Sequence, residues 1–173
     1  EVYGTCRNLK GSKYLNFKNE FPNVEVFECD ISNFKLIKNL ITKIQPNEIY
    51  NLAAQSVSVT SLNLQKETFD VNAGGVLNIL ESIRSINTKI KFLQASSCEV
   101  FGKEPSEFPQ NEKTPYNPQT PYAAAKSYSD YLIRIYRNQL SIFACSTILF
   151  NHESPKRGPA YVTKKITESA ANI

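Results

Sequence analysis

Short apolar runs alternate with amphipathic stretches along the chain, and this alternation constrains the fold more than any other feature. Five apolar runs predict β-strands, at residues 1–6, 24–30, 48–54, 90–97 and 142–150. Helical spacing of apolar residues fills the intervals, from about residue 32 to 45, over 71–86, from 121 onward and over 161–173. Strands and helices that alternate at these lengths predict an α/β fold, with a doubly wound, mostly parallel sheet and helices on both faces.

Local signals predict where several of these helices begin and end. Ser32 is expected to cap the first predicted helix, and Pro46 is expected to stop it. Pro121 suits the first turn of a helix, and it follows a proline-rich irregular loop at residues 102–121. The sequence shows no internal repeat and no stretch typical of a domain linker.

Composition excludes several classes of function. The chain has 173 residues and a formal net charge of +4, but its basic residues are scattered, so nucleic-acid binding is disfavoured. No apolar run reaches the length of a membrane span and no signal peptide is evident, so a cytoplasmic protein without membrane partners is expected. The chain contains no methionine, position 1 included, so we expect it to be part of a longer protein.

The cysteines and the single histidine do not predict a metal site. Cys6, Cys29, Cys98 and Cys145 are far apart in the sequence, and only His152 is available to join them as a ligand. We therefore expect buried, reduced thiols.

Polar residues cluster at the carboxyl ends of the predicted strands. A doubly wound sheet binds its ligands at this edge. The residues concerned are Arg7, Asp30, Ala53 to Ser56, Ser96 to Glu99, Asn151 and His152. The carboxyl edge of the sheet is therefore the predicted active site.

Tyr122 and Lys126 are spaced as neighbours on one face of the predicted helix that begins at Pro121. A nearby ammonium is expected to lower the pKa of the phenol and leave a tyrosinate that removes a hydroxyl proton near neutral pH. The spacing alone is a weak signal, because it is common by chance. A half-buried aromatic residue beside a solvated lysine is the alternative.

Ser97 and Glu99, in "QASSCEV" at residues 94–100, strengthen the catalytic interpretation. Ser97 at the end of a central strand is expected to bind the same substrate hydroxyl that Tyr122 deprotonates. This serine, phenol and ammonium trio is typical of hydride transfer to a nicotinamide. Glu99 adds a carboxylate that simple alcohol oxidation does not need, and so predicts a second chemical step.

Longer segments around these residues resemble one family. They are "EIYNLAAQS" (48–56), "KFLQASSCEVFGK" (91–103), "TPYAAAK" (120–126), "FACSTILFNHESPKRG" (143–158) and "VTKKIT" (162–167). The chain resembles the extended short-chain dehydrogenase/reductases, and within them the GDP-mannose 4,6-dehydratase family, from residue 1 to 173. The last two segments are the most specific. The resemblance implies a Rossmann-like NADP-binding domain over 1–150, incomplete at its N-terminus, and the start of a substrate-binding region over 151–173.

The resemblance also implies a reaction. Ser97 and Tyr122 would bind the 4-hydroxyl of GDP-mannose, and Tyr122 would take its proton. Lys126 would stabilise the tyrosinate, while hydride passes from C4 to NADP. Glu99 would remove the C5 proton and protonate the departing 6-hydroxyl, after which the hydride returns to C6. The implied product is GDP-4-keto-6-deoxymannose, a step toward GDP-fucose and other deoxyhexoses.

Cofactor and substrate contacts are implied position by position. Arg7 would bind the 2′-phosphate that distinguishes NADP from NAD. The other implied cofactor contacts are Asp30, Ile31, Leu52, Ala53, Ala54, Gln55, Ser56, Tyr122, Lys126, His152 and Arg157. Asn151 and Lys165 are expected to contact GDP-mannose, and a full-length protein is expected to be a homo-oligomer.

Two departures from the family pattern leave alternatives open. Val57 stands where the family usually has histidine, and the glycine-rich turn of strand one does not occur in this sequence. Without strand one, the sheet is expected to have unpaired edges on both sides of the gap. The alternatives are a non-catalytic remnant of such an enzyme, and another sugar-nucleotide dehydratase or 4-epimerase.

Overall fold

The computed structural model describes residues 1–56, 61–104, 106, 108–159 and 161–172. Its β-strands are β1 (Tyr3–Cys6), β2 (Glu25–Glu28), β3 (Glu48–Asn51), β4 (Lys91–Ala95) and β5 (Ala144–Thr147). Its α-helices are α1 (Ser12–Glu20), α2 (Phe34–Ile44), α3 (Gln65–Phe69), α4 (Gly75–Ile86), α5 (Pro121–Leu140) and α6 (Val162–Ala171). A π-helical turn (Asp70–Gly74) joins α3 to α4, and a 3-10 turn (Cys98–Phe101) follows β4. In the described ranges, no helix combines the length and the apolar character that a membrane span requires.

All strand pairs are parallel, which confirms the predicted α/β fold. β1 pairs with β2, and β3, β4 and β5 form a second sheet with β4 in the middle. The ladder does not continue from β1 to β3, so each of these strands is an edge. This split matches the expectation for a doubly wound sheet that lacks the strand between them.

The hydrophobic core lies between β4 and helices α2, α4 and α5. Phe92 of β4 is 1% exposed, and it belongs to the same buried cluster as Leu80 of α4 and Ile133 of α5. Ile37 and Ile41 of α2 join this cluster, because their four-residue spacing places them on one face of the helix. Burial of side chains of this size stabilises the fold by about 2 kcal/mol each.

The cap of α2 differs from the sequence prediction. Asn33, and not Ser32, is the N-cap residue, and its side-chain oxygen accepts a hydrogen bond of 3.2 Å from the Leu36 amide. Ser32 instead donates its hydroxyl hydrogen to the Asp30 carboxylate at 2.8 Å. The end of α2 is as predicted, since Gln45 takes a left-handed conformation immediately before Pro46.

Other boundaries also differ from the sequence prediction. Helix α1 was not predicted, because its exposed, lysine- and asparagine-rich sequence lacks an apolar stripe. The helical segment predicted over 71–86 begins earlier, at Gln65, and passes through the π-helical turn. Most of the strands are shorter than the apolar runs, since pairing ends where the neighbouring strand ends.

The four cysteines are free thiols. Cys29 is buried, as predicted, but Cys6, Cys98 and Cys145 are partly exposed. Cys6 and Cys145 lie on edge strands, which have a neighbour on one side only. The prediction of buried thiols is therefore correct for Cys29 alone.

Candidate active site

The first turns of α5 place Tyr122 and Lys126 on one face at the carboxyl edge of the sheet. Thr120 caps the helix by accepting a hydrogen bond of 3.1 Å from the Ala123 amide, and Pro121 occupies the first turn. The Lys126 ammonium nitrogen lies 5.8 Å from the centre of the Tyr122 ring. The predicted pair therefore exists as a local contact.

Lys126 is buried, with only 3% of its surface exposed. Its ammonium donates a hydrogen bond of 2.6 Å to the carbonyl oxygen of Ala95, the last residue of β4. Burial lowers the pKa of Lys126 to about 8, and the charge of Asp130 opposes that effect. The alternative interpretation of a solvated lysine is therefore wrong.

Tyr122 is half-buried beside Ser97. Burial raises the pKa of the Tyr122 phenol, a hydrogen bond with Ser97 lowers it, and the negative charge of Glu99 raises it further. The sequence prediction of a lowered pKa is therefore wrong for the protein without ligands. The physical reason is that burial disfavours the tyrosinate more than the Ser97 hydrogen bond favours it.

The end of β4 brings the other two predicted catalytic residues to this phenol. Ser97 is the N-cap residue of the 3-10 turn, and its hydroxyl accepts a hydrogen bond of 3.3 Å from the Glu99 amide. Glu99 is partly exposed and lies close enough for its charge to act on Tyr122. A hydroxyl, a phenol, an ammonium and a carboxylate thus meet within two adjoining elements.

A buried polar cluster beneath this site was not predicted. Ser96 donates a hydrogen bond of 2.6 Å to the Asp130 carboxylate, and the Tyr116 hydroxyl donates another, of 3.1 Å, to the same oxygen. Asp130 is 2% exposed, and it lies one helical turn after Lys126. That four-residue spacing was the available signal, since it puts an acid on the same helix face as Tyr122 and Lys126.

Several predicted cofactor residues line one cavity between the two sheets. The cavity has a volume of about 170 Å³ and opens at the carboxyl ends of β1, β2 and β3. Its lining includes Arg7, Asp30, Ile31, Ala53 and Ala54, together with Thr5, Cys6, Cys29 and Val71. Residues that are distant in the sequence thus meet where the fold predicts a ligand.

Arg7 and Asp30 already have partners at this cavity. The Arg7 guanidinium forms an ion pair of 2.9 Å with Glu67 of α3, and both side chains are largely exposed. The Asp30 carboxylate accepts hydrogen bonds from the amide and hydroxyl of Ser32, at 2.9 and 2.8 Å. Glu67 had not been predicted to take part.

The loop after β3 is held by Asn72, which the sequence analysis did not identify. The Asn72 side chain accepts a hydrogen bond from the Gln55 amide at 2.8 Å and donates one to the Gln55 carbonyl at 3.0 Å. Leu52 and Ser56 are exposed, and neither lines the cavity. Val57, where a polar contact was predicted to be missing, lies outside the described residues.

The segment after β5 approaches the site mainly through its backbone and Tyr161. The backbone of Asn151 hydrogen-bonds the Cys98 thiol, and Tyr161 lies close enough to Tyr122 for an electrostatic interaction that adds slightly to the raised pKa of the Tyr122 phenol. The His152 ring nitrogen Nδ1 lies 2.9 Å from the Phe150 carbonyl oxygen. His152 therefore contacts its own loop and not the cavity.

Arg157 makes its contacts within the segment after β5, and Lys165 lies on α6. Arg157 pairs with Glu153 at 3.4 Å and stacks on Tyr161 at 3.6 Å from the ring centre. Lys165 is exposed on α6. Among the residues with described positions, no hydrogen bond or ion pair links the side chains of Asn151, Arg157 or Lys165 to those of Tyr122 or Ser97.

Solved structures show the same fold. The structure of a dTDP-glucose 4,6-dehydratase from Streptomyces venezuelae, with NAD and TYD bound, matches with a TM-score of 0.84 and 21% identity. The match covers 99% of this chain and 53% of that one. A dTDP-glucose 4,6-dehydratase from Bacillus anthracis in complex with NAD matches with a TM-score of 0.82 and 22% identity, over 99% and 53% of the two chains. At this identity the likeness establishes the Rossmann-like fold.

Relatives found by sequence identify the family more specifically than the solved structures do. A GDP-mannose 4,6 dehydratase of Dictyostelium discoideum is 44% identical over 146 residues, which are 83% of this chain and 41% of that protein. A GDP-mannose 4,6-dehydratase of Vibrio cholerae serotype O1 is 42% identical over 162 residues, which are 92% of this chain and 43% of that protein. The chain therefore spans about two fifths of the length of these relatives.

The family model described as GDP-mannose 4,6 dehydratase matches residues 1–173. This match extends over both halves of the site, from Arg7 and Asp30 at the cavity to Ser97, Tyr122 and Lys126 at the end of β4. Together with the relatives above 40% identity, it shows that the chain belongs to the GDP-mannose 4,6-dehydratase family.

Proposed function

We propose that residues 1–173 carry the catalytic group of an NADP-dependent GDP-mannose 4,6-dehydratase, a lyase that forms GDP-4-keto-6-deoxymannose. The observation that carries the proposal is the meeting of Ser97, Glu99, Tyr122 and Lys126 at the end of β4. Family membership supplies the substrate class. Residues 1–150 are proposed as the cofactor-binding domain, and 151–173 as the start of the substrate-binding region.

Tyr122 is proposed as the base that takes the proton of the sugar 4-hydroxyl. Ser97 already hydrogen-bonds this phenol, so a substrate hydroxyl between them is held by two oxygens. Lys126 stays mostly protonated at pH 7, because its pKa is about 8, and its buried ammonium then stabilises the tyrosinate. The raised pKa of Tyr122 describes the protein without ligands, and substrate binding is proposed to reverse it.

Glu99 is proposed to carry out the elimination. A ketone at C4 acidifies the C5 proton, which the Glu99 carboxylate removes and then delivers to the 6-hydroxyl as that group leaves as water. Glu99 is partly exposed, on a 3-10 turn whose start is fixed by Ser97. The same turn therefore positions the hydroxyl binder and the elimination base.

The cavity between the sheets is proposed to hold the adenosine end of NADP. When bound, NADP would supply a nicotinamide ring as the acceptor and donor of hydride for this reaction. Arg7 would bind the 2′-phosphate once the Glu67 ion pair opens, which costs at most about 1 kcal/mol between exposed groups. Asp30, Ile31, Ala53 and Ala54 line the same cavity as Arg7 and are proposed to contact the cofactor with it.

The remaining contacts rest on family membership alone. Leu52, Gln55, Ser56, His152 and Arg157 are proposed to complete the cofactor site, and Asn151 and Lys165 to bind GDP-mannose. A cytoplasmic location, a role in GDP-fucose or other deoxyhexose synthesis and a homo-oligomeric full-length protein are proposed on the same basis.

A chimera tests the proposed activity. Residues 1–173 would replace the matching segment of the Vibrio cholerae relative, which supplies the rest of the length. The chimera is incubated with GDP-mannose and NADP, and mass spectrometry detects the 4-keto-6-deoxy product. We expect product from the chimera, and a loss of about 10²-fold or more with Tyr122→Phe or Glu99→Gln.

Product formation at the same rate with Tyr122→Phe would refute the assignment of the base. Turnover of another sugar nucleotide, with none of GDP-mannose, would refute the proposed substrate. A folded chimera without any turnover would favour the non-catalytic alternative.

A further inference from the structure

Asp130 is a buried charge that the proposed reaction does not use. Its side chain is 2% exposed, and one carboxylate oxygen accepts hydrogen bonds from Ser96 and Tyr116. The other oxygen, Oδ1, is buried and finds no hydrogen-bond partner within the described part of the chain. Isolated buried carboxylates are strongly unfavourable, so a compensating positive charge is expected nearby.

Lys126 provides that charge. Lys126 and Asp130 are one helical turn apart on α5, a spacing that places their β-carbons about 5–6 Å apart. The negative charge of Asp130 favours the ammonium form of Lys126 and thereby opposes the effect of burial. Without this charge, burial alone would favour a neutral amine.

The same carboxylate also holds the backbone that Lys126 touches. Ser96, bonded to Asp130 at 2.6 Å, directly follows Ala95, whose carbonyl accepts the Lys126 ammonium at 2.6 Å. The next residue is Ser97, which hydrogen-bonds Tyr122. A shift of Ser96 would therefore displace both the acceptor of the ammonium and the partner of the phenol.

We propose that Asp130 is a positioning residue: it supplies the counter-charge for the buried Lys126 ammonium and, through Ser96, holds the end of β4 against it. Its meaning for catalysis rests on the proposed function, but the interaction itself does not. In the described part of the chain, the other titratable and charged groups around the cluster include Tyr122, Glu99, Tyr116, Tyr131 and Arg134. Among them Tyr116 has a pKa raised to about 12, so its phenol keeps its proton and donates to Asp130.

The test measures Lys126 directly in the 173-residue chain. Lysine labelled with ¹³C at Cε and ¹⁵N at Nζ is incorporated, and the Lys126 signal is assigned with Lys126→Arg. Asp130→Asn keeps the shape of the side chain and one acceptor oxygen for Ser96 and Tyr116, replaces the other oxygen by an amide donor, and removes the charge. We expect Asp130→Asn to lower the Lys126 pKa by about one unit or more, and Asp130→Glu to restore most of the wild-type value.

Ser96→Ala tests the contact with β4 separately. Removing one buried hydrogen bond should free the end of the strand, so that the ammonium hydrogens of Lys126 exchange with water roughly two- to tenfold faster. Tyr116→Phe is the matched control, because it removes a hydrogen bond from Asp130 and leaves both the charge and the Ser96 contact in place. We expect it to change the Lys126 pKa much less than Asp130→Asn does.

An unchanged Lys126 pKa in Asp130→Asn, or an equal shift in Tyr116→Phe, would refute the role of Asp130 as the counter-charge of Lys126. Unchanged exchange in Ser96→Ala would overturn the positioning of β4. If Asp130→Asn does not fold, Asp130→Ser, which also removes the charge, takes its place in the pKa measurement, and Ser96→Ala still tests the positioning of β4. Neither readout requires a substrate or cofactor, so failure of the dehydratase assay and failure of this proposal are separate outcomes.

Discussion

Replacing Lys126 by methionine should remove a pH dependence of stability that the structure assigns to this one residue. The pKa of Lys126 falls from 10.5 to about 8 in the folded protein, mainly because of burial. At 1.36 kcal/mol per pKa unit, this difference corresponds to about 3 kcal/mol. Folding is opposed by that amount wherever Lys126 is protonated in both states, which is the case below about pH 8.

The sign follows from proton binding. Between about pH 8 and pH 10.5 the unfolded chain holds a proton that the folded protein has released, so this opposition to folding disappears as the pH rises. Integration over the two pKa values gives a change of about 2.5 kcal/mol between pH 7 and pH 10. The attraction between Lys126 and Asp130 is already contained in the value of about 8.

Urea denaturation, followed by circular dichroism at pH 7 and pH 10, compares wild type with Lys126→Met. The difference in unfolding free energy also contains the lost hydrogen bond to Ala95, the unpaired Asp130 and new packing around methionine. Those contributions are the same at both pH values, so they cancel in the change with pH. Relative to wild type, the variant should therefore lose about 2.5 kcal/mol of stability from pH 7 to pH 10.

Lys113→Met is the matched control, because Lys113 is exposed. Its difference from wild type should be the same at pH 7 and pH 10. A difference for Lys126→Met that is equally independent of pH would show that Lys126 is not buried as a charged group. The assignment of its role beside Tyr122 would then lose its physical basis.

Three further predictions concern the cavity and the elements around it. Asn72→Ala should lower the unfolding free energy by about 1–3 kcal/mol in urea titrations, since it removes two hydrogen bonds to part-buried backbone groups of Gln55. Glu67→Gln should free Arg7 and strengthen binding of adenosine 2′,5′-bisphosphate about two- to fivefold by calorimetry, with no gain for AMP. Gly75→Ala should lower the melting temperature and cost about 1–3 kcal/mol, because the added Cβ would lie 2.6 Å from a side-chain carbon of Ile31.

Burying the charges of Lys126 and Asp130 costs folding free energy. The hydrogen bonds of the surrounding polar network offset only part of that cost. Replacing buried, oppositely charged residues by apolar ones often leaves stability unchanged or increases it. Their presence at the end of β4 therefore indicates a purpose other than stability, which the proposed acid–base chemistry of Tyr122 supplies. The same trade-off is common at sites where function requires buried charge.

The sequence by itself determined the fold class and predicted which residues form the proposed catalytic group. Periodicity is a local property, so it predicted five parallel strands with helices between them, and Ser97, Glu99, Tyr122 and Lys126 followed from strand ends and helix spacing. Segment ends were less accurate, since pairing with a neighbouring strand decides where β3 and β5 stop. Helix α1 was not predicted, because its sequence has no apolar stripe that would indicate a helix.

Only the tertiary structure decided the electrostatics of the site. Spacing predicted that Lys126 would lower the pKa of Tyr122, but burial raises it, and burial depends on every element packed around the residue. The partners that hold the site, Asp130 at Ser96 and Glu67 at Arg7, are likewise distant in sequence from the groups they contact. A one-dimensional pattern records which groups are present, whereas the energy of a charge depends on the solvent and the partners that folding leaves around it.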